Sequence, residues 1–156
     1  MANRYFLKPD TLVQLGSVNR AVEHLVEGES IVSYNVTEND FVLTTVESVT
    51  KSDDIMEYQY VKINNHQDAF STDAIVFVKN VDGNIVRGYF SNEKPVIEGV
   101  NPDDLYSIVP GFFKIFDGSN WEDIESIEIY NYTGHLYSVK VAGTHSLFVE
   151  NVLISD

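Results

Sequence analysis

Short runs of β-branched and aromatic residues recur along this chain, separated by turn residues. That is the pattern of half-buried strands rather than of helices. Residues 58–63 and 124–132 alternate apolar with polar positions. Residues 11–15, 30–36, 41–49, 74–79, 84–90, 136–141, 146–149 and 152–154 are further expected strands. Thr37-Glu38-Asn39-Asp40 is a plausible hairpin turn, and Asp82-Gly83 is the strongest hairpin signal in the chain. Gly143-Thr144 and Glu150-Asn151 separate the last three strands. The long apolar run 106–116 is expected to break into two strands at Pro110 and Gly111.

Helix is expected only at 19–26, for a turn or two, and after Asn101, where Asn101 would cap and Pro102 would take the first helical position. The polar stretch 91–104 is the nearest thing to an insertion. No repeat, low-complexity segment or linker interrupts the pattern. The expectation is an all-β fold: one domain, 1–156, of many short strands, with its edges closed or covered.

Composition sharpens this picture. Nine Tyr, nine Phe and a hydrophobic content of 44% suffice for a core and favour strands. The net charge of −14 repels phosphate backbones and anionic membrane surfaces, so neither nucleic acid nor membrane is an expected partner. The charge by itself is first a solubility device. The chain has no cysteine, which excludes disulfides, thiolate metal sites and a Cys nucleophile. The opening MANRYFLKPD has no apolar stretch of signal-peptide length, and no run reaches the roughly 20 apolar residues of a membrane helix. The sequons at Asn35 and Asn131 read as chance matches.

Three segments, in order, carry a resemblance. The first is Phe6-Leu7-Lys8-Pro9-Asp10-Thr11-Leu12-Val13, followed by Val22-Glu23-His24-Leu25-Val26-Glu27-Gly28-Glu29-Ser30-Ile31-Val32-Ser33-Tyr34-Asn35. The second is Phe70-Ser71-Thr72-Asp73-Ala74-Ile75-Val76-Phe77-Val78. The third is Leu136-Tyr137-Ser138-Val139-Lys140-Val141-Ala142-Gly143-Thr144-His145-Ser146-Leu147-Phe148, running into Val152-Leu153-Ile154-Ser155-Asp156. Together they resemble the blocks of the Hint (hedgehog/intein) family: a nucleophile followed by Thr-x-Val, a middle Thr-x-x-His, and a final block with a His and an apolar strand ending in Ser-Asn or His-Asn.

The resemblance implies a self-processing fold whose chemistry starts when a thiol or hydroxyl attacks the carbonyl before it. Phe6 stands at that position, and its ring cannot attack. The matching position of the middle histidine, which protonates the leaving amine, is Ala74. Ser71 keeps a hydroxyl at the Thr position. The final Asn, whose amide would cyclise, is replaced by Asp156 after Ser155. With five residues before Phe6 and none after Asp156, no released segment is expected at either end. His145 matches a retained position that assists the C-terminal step. Its structural reading is a turn histidine hydrogen-bonded to backbone. The expectation is therefore a catalytically degenerate member, not an enzyme, in which Phe6, Ser71, Ala74, His145, Ser155 and Asp156 mark the former site.

Other constellations are weaker. His24, His66, His135 and His145 have no second ligand at metal-binding spacing. Asp53-Asp54 and Asp103-Asp104 fit no calcium loop. No metal or cofactor is expected, and a calcium- or small-molecule-binding role has only the acidic surface to motivate it. Ser71 with Asp73 lacks a base and an elbow motif. If Phe112 and Phe113 share a strand, they point to opposite faces. Those two and Trp121 are the candidate interface residues, although Trp121 reads more naturally as a strand aromatic packed on the core. The expected role is a structural or interaction module with protein partners: a second copy, or the proteins of a phage or virus particle. Its expected location is a virion or the cytoplasm. The alternative is residual autoprocessing at Tyr5–Phe6 or Ser155–Asp156.

Overall fold

Alternating patterns dominate the chain, and strands dominate its structure. The computed structural model describes residues 5–64, 70–97, 100–116 and 119–155. His66 and Asp156 lie outside them. In chain order the strands are β1 (Leu12–Gln14), β2 (Asn19–Ala21), β3 (Ser30–Asn35), β4 (Asp40–Lys51), β5 (Met56–Ile63), β6 (Phe70–Ser71), β7 (Ile75–Lys79), β8 (Ile85–Tyr89), β9 (Leu105–Ser107), β10 (Lys114–Phe116), β11 (Trp121–Asp123), β12 (Ile127–Gly134), β13 (Tyr137–Val141), β14 (Ser146–Val149) and β15 (Val152–Ser155). Single 3-10 turns at Val22–His24 and Pro102–Asp104 are the helical elements among the described residues. The second opens as expected: the Asn101 side chain accepts from the Asp103 N–H, with Pro102 in the first turn. None of the described helical segments is long and apolar enough to cross a membrane.

The strands form three sheets. One has nine strands and is built around β7, which pairs with β8 along one edge and with β15 and β10 along the other. The other two are β12-β5-β6 and β13-β4-β3. β5 and β12 are in register over eight residue pairs, from Ile127↔Ile63 to Gly134↔Met56. The central strands are buried on both faces, and their alternation divides two cores. On β14, Leu147 and Val149 join the main cluster, whereas Phe148 joins Tyr34, Phe77, Phe116 and Leu153 in a second one. Strands buried on both faces read as continuous apolar runs, as β7, β14 and β15 do.

Four expectations need correction. Phe112 and Phe113 are on no strand, because Gly111 adopts φ 91° and the Phe112 N–H donates to the Val109 carbonyl, which closes a turn between β9 and β10. Phe112 is 60% exposed and Phe113 packs on the main core. The expected strand 124–132 begins instead at Ile127, with β11 a separate element before it. Residues 19–26 divide into β2 and one 3-10 turn. The edges are not all covered: among the described residues no strand pairs with the outer edge of β12.

Gly88 shows how tightly β8 meets its surroundings. A Cβ built there would come within 2.6 Å of Ile108 Cδ1 and Cγ1 and 3.3 Å of Val78 Cγ2. Replacing Gly88 with Ala is expected to destabilise the protein by about 2 kcal/mol through overpacking. Chemical denaturation would show this as a lower midpoint with an unchanged slope.

Candidate functional site

The segment around Phe6 threads between two strands and is held from both sides. On one side, the Leu7 N–H donates to the Tyr137 carbonyl at 2.7 Å and the Tyr137 N–H donates back at 2.9 Å. On the other, the Ser71 N–H donates to the Phe6 carbonyl at 3.0 Å, and the Phe6 N–H donates to Ser71 Oγ at 2.9 Å. Ser138 Oγ donates to the Tyr5 carbonyl at 2.9 Å. Both polar groups of the Tyr5–Phe6 peptide bond are thus held by side-chain hydroxyls, one from β6 and one from β13. The Tyr5 side chain is fully buried, and its hydroxyl donates to the Val139 carbonyl at 2.5 Å.

Of the six positions matched from sequence, Phe6 and Ser71 meet at this amide. Ala74 follows Ser71 in a tight turn closed by its own N–H on the Ser71 carbonyl at 3.1 Å, and it is fully buried. Ser155 pairs with Ile75, next to Ala74, and with Ser146, next to His145. His145 is exposed and follows the Gly143–Thr144 turn with φ 54°. Asp156 lies outside the described residues. Beneath the His145 turn, Ser33 Oγ meets Thr144 Oγ1 and lies 2.6 Å from Ser146 Oγ, which donates to the Tyr34 carbonyl at 3.1 Å. Ser33 and Ser146 are buried, so this hydroxyl chain satisfies polar groups that would otherwise be costly.

The side chain at position 6 is a phenyl ring, packed edge-on against Tyr58 with centroids 5.0 Å apart. At position 74 there is a methyl group. The amide is held, but neither position offers a lone pair or an exchangeable proton. Tyr58 donates its hydroxyl to Asp73 Oδ2, and burial first, then the Asp73 carboxylate, pushes the phenol well above its ordinary range.

Tyr58 belongs to a tyrosine face set by the β5–β12 register, which places Tyr130 opposite Tyr60 and Tyr132 opposite Tyr58. Lys8 lies across it, its Nζ 5.3 Å from the Tyr130 centroid, 5.6 Å from Tyr132 and 6.0 Å from Tyr60. This cation–π contact ties the segment after Phe6 to the sheet. Tyr60 is fully buried and its hydroxyl has no hydrogen-bond partner among the described residues. Removing an unsatisfied buried hydroxyl relieves its desolvation cost, so Tyr60→Phe is expected to raise stability by about 1 kcal/mol. A higher thermal midpoint would show it.

The remaining candidates sit elsewhere. Trp121 stacks on Phe116 at 4.7 Å, with Lys79 above it at 4.8 Å, and belongs to the rim of the second core. Phe112 lies on a separate turn. Nothing in the sequence marks Ser138, Tyr58 or Lys8 as part of this site, because each reaches it only through long-range pairing.

With this geometry in view, the chain has the intein-type Hint fold. It is similar over 99% of its length to the solution structure of a bacterial intein-like domain from Clostridium thermocellum, with 17% identity, a TM-score of 0.70 and all of that chain covered. It is similar to a DnaB intein from Synechocystis sp. PCC 6803, with 13% identity, a TM-score of 0.64 and 97% of both chains covered. It also resembles the Ssp DnaB mini-intein variant M86, with 11% identity, a TM-score of 0.67, and 99% of this chain and 95% of that one covered. No family model matches the chain, and no curated protein matches it by sequence.

Proposed function

We propose that this protein is a catalytically degenerate Hint-type scaffold, used as a structural or interaction module within a larger assembly such as a phage or virus particle. One observation carries the reading. At the place where bond-breaking would start, a phenyl ring is packed on Tyr58 while Ser71 and Ser138 hold the neighbouring amide. Ala74 beside it provides no acid for a leaving amine. The placement in a particle, and a virion or cytoplasmic location, rest on the acidic, cysteine-free character of the chain, and that step is analogy from a fold that hosts more than one role.

Residual autoprocessing is the second reading. The two hydroxyls on the Tyr5–Phe6 amide and the retained His145 favour it, since a hydrogen bond to the carbonyl is what an oxyanion site supplies. Intact mass measured during long incubation, with and without a nucleophilic thiol, separates the two. The scaffold reading expects the mass of all 156 residues throughout, together with stable self-association or a stoichiometric place in a particle. A mass that falls by the residues before Phe6 would overturn it in favour of processing.

A further inference from the structure

β6 ends at Ser71, and the chain then turns away from β5. The last backbone contact is the Thr72 N–H donating to the Gln59 carbonyl at 3.1 Å, so among the described residues no strand pairs with β5 at Glu57 on that side. A cavity of about 310 Å³ opens where the two diverge, lined by Glu57, Tyr58, Gln59, Thr72, Asp73 and Asn131. That volume lies at the lower end of small-ligand sites. Its lining among the described residues is polar or phenolic and includes two carboxylates and no cation. Among the described residues neither Glu57 nor Asp73 is in an ion pair, and Asp73 is oriented by the Tyr58 hydroxyl.

We propose that this cavity binds the side chain of an arginine carried by a partner protein. A guanidinium has five donors and no acceptor, which suits a lining whose charged groups are acceptors only. Glu57 of β5 and Asp73 of the Thr72–Asp73 turn both line it, and a carboxylate accepts charge-assisted hydrogen bonds from such a donor. A divalent cation fits less well, since no group of three or more His, Cys, Asp or Glu side chains converges anywhere among the described residues. The overall charge of −14 draws a basic partner toward the surface, and the cavity gives that attraction a place to act. The site adjoins the Phe6 ring through Tyr58 and uses none of the six positions matched to the processing site, so the proposal stands whether or not the fold retains chemistry.

The test is a titration of the isotope-labelled full chain with Nα-acetyl-argininamide, followed by NMR, beside the neutral isostere Nα-acetyl-citrulline amide and beside Ca²⁺. The expected result is saturable shifts at the backbone amides of Glu57, Tyr58, Gln59, Thr72, Asp73 and Asn131, weakened by salt and absent with the citrulline probe. Glu57→Gln, an exposed change that leaves the fold intact, is expected to weaken binding about threefold, and Asp73→Asn about fivefold. Equal shifts with citrulline, saturable shifts at the same residues with Ca²⁺, or arginine shifts spread over Asp53, Asp54, Asp103 and Asp104 would each overturn the proposal. So would the absence of any shift with the arginine probe, or an unchanged affinity in both variants.

Discussion

The double variant Phe6→Cys/Ala74→His, incubated with an external thiol at neutral pH, is expected to lose its first five residues, whereas the parent chain keeps them. The parts of the site that are hard to build already exist. The Tyr5 carbonyl accepts from Ser138 Oγ at 2.9 Å, which polarises it and stands ready for the charge that attack would place on its oxygen. The Phe6 N–H is fixed by Ser71 Oγ at 2.9 Å, so the amide cannot drift from the attacking group. The introduced thiolate adds to the Tyr5 carbonyl carbon, and the Tyr5–Phe6 C–N bond breaks. The amine departs with a proton from the introduced imidazole, leaving a thioester that the external thiol exchanges. General acid catalysis contributes about 100-fold or more, so Phe6→Cys alone should cleave at least about 100 times more slowly, and Ala74→His alone not at all. Adding Ser138→Ala to the double variant should slow cleavage by about a further 100-fold. Ala74 is fully buried, so the imidazole costs about 2 kcal/mol in overpacking, and far-ultraviolet circular dichroism must show an intact fold before the mass is read. A folded double variant that stays whole would mean that the framework no longer presents the amide in an attackable geometry.

That prediction depends on how much of the molecule could be read from its residues. The strands were legible because alternation and turn chemistry are local properties. Asp82-Gly83 joins β7 to β8, and Glu150-Asn151, both at positive φ, joins β14 to β15. The same local reading went wrong at Phe112 and Phe113. Their apolar run suggests a strand, but the φ of 91° at Gly111 and the turn it permits are decided by the packing of Phe113 on the core and of Ile124 beside it. β11 showed only through Trp121, read as a strand aromatic, because Trp121–Asp123 is too short, and too acidic at two of its three positions, to show a period. Of the matched positions, Phe6 meets Ser71 through two hydrogen bonds, and Ser155 pairs with the neighbours of Ala74 and His145. The contacts that define the site did not show in the sequence. Ser138 reaches Tyr5 across 133 residues, and Tyr58 reaches Asp73 only because β6 pairs with β5. A side chain's role there is fixed by register, and register between distant strands is a property of the whole fold.

The same dependence on register makes Phe148→Ala the substitution with the largest expected cost in stability. β14 is buried at all four of its residues because it lies between two cores. Phe148 is fully buried on the side of the second, smaller core, with its ring centroid 6.2 Å from Phe116 and 6.0 Å from Phe41. Tyr34, Phe77 and Leu153 complete that cluster, contributed by β3, β7 and β15. A cavity at its centre therefore loosens three strands at once, and none can close it without losing its place in a sheet. Large-to-small changes of this kind cost about 4 kcal/mol, a large share of the 5–15 kcal/mol that typically holds a domain folded. For a chain of this size that is a fall of about 10 °C in thermal midpoint. Leu43→Ala, on β4 and 73% exposed, should move the midpoint by less than about 2 °C. Because β15 ends beside Ala74 and β14 begins beside His145, the strands loosened by Phe148→Ala are also those that shape the site. In the Phe6→Cys/Ala74→His background the change should therefore slow cleavage even at temperatures where the chain is folded. Equal cleavage rates with and without Phe148, under those conditions, would mean that the site is held by Ser71 and Ser138 alone and owes nothing to the second core.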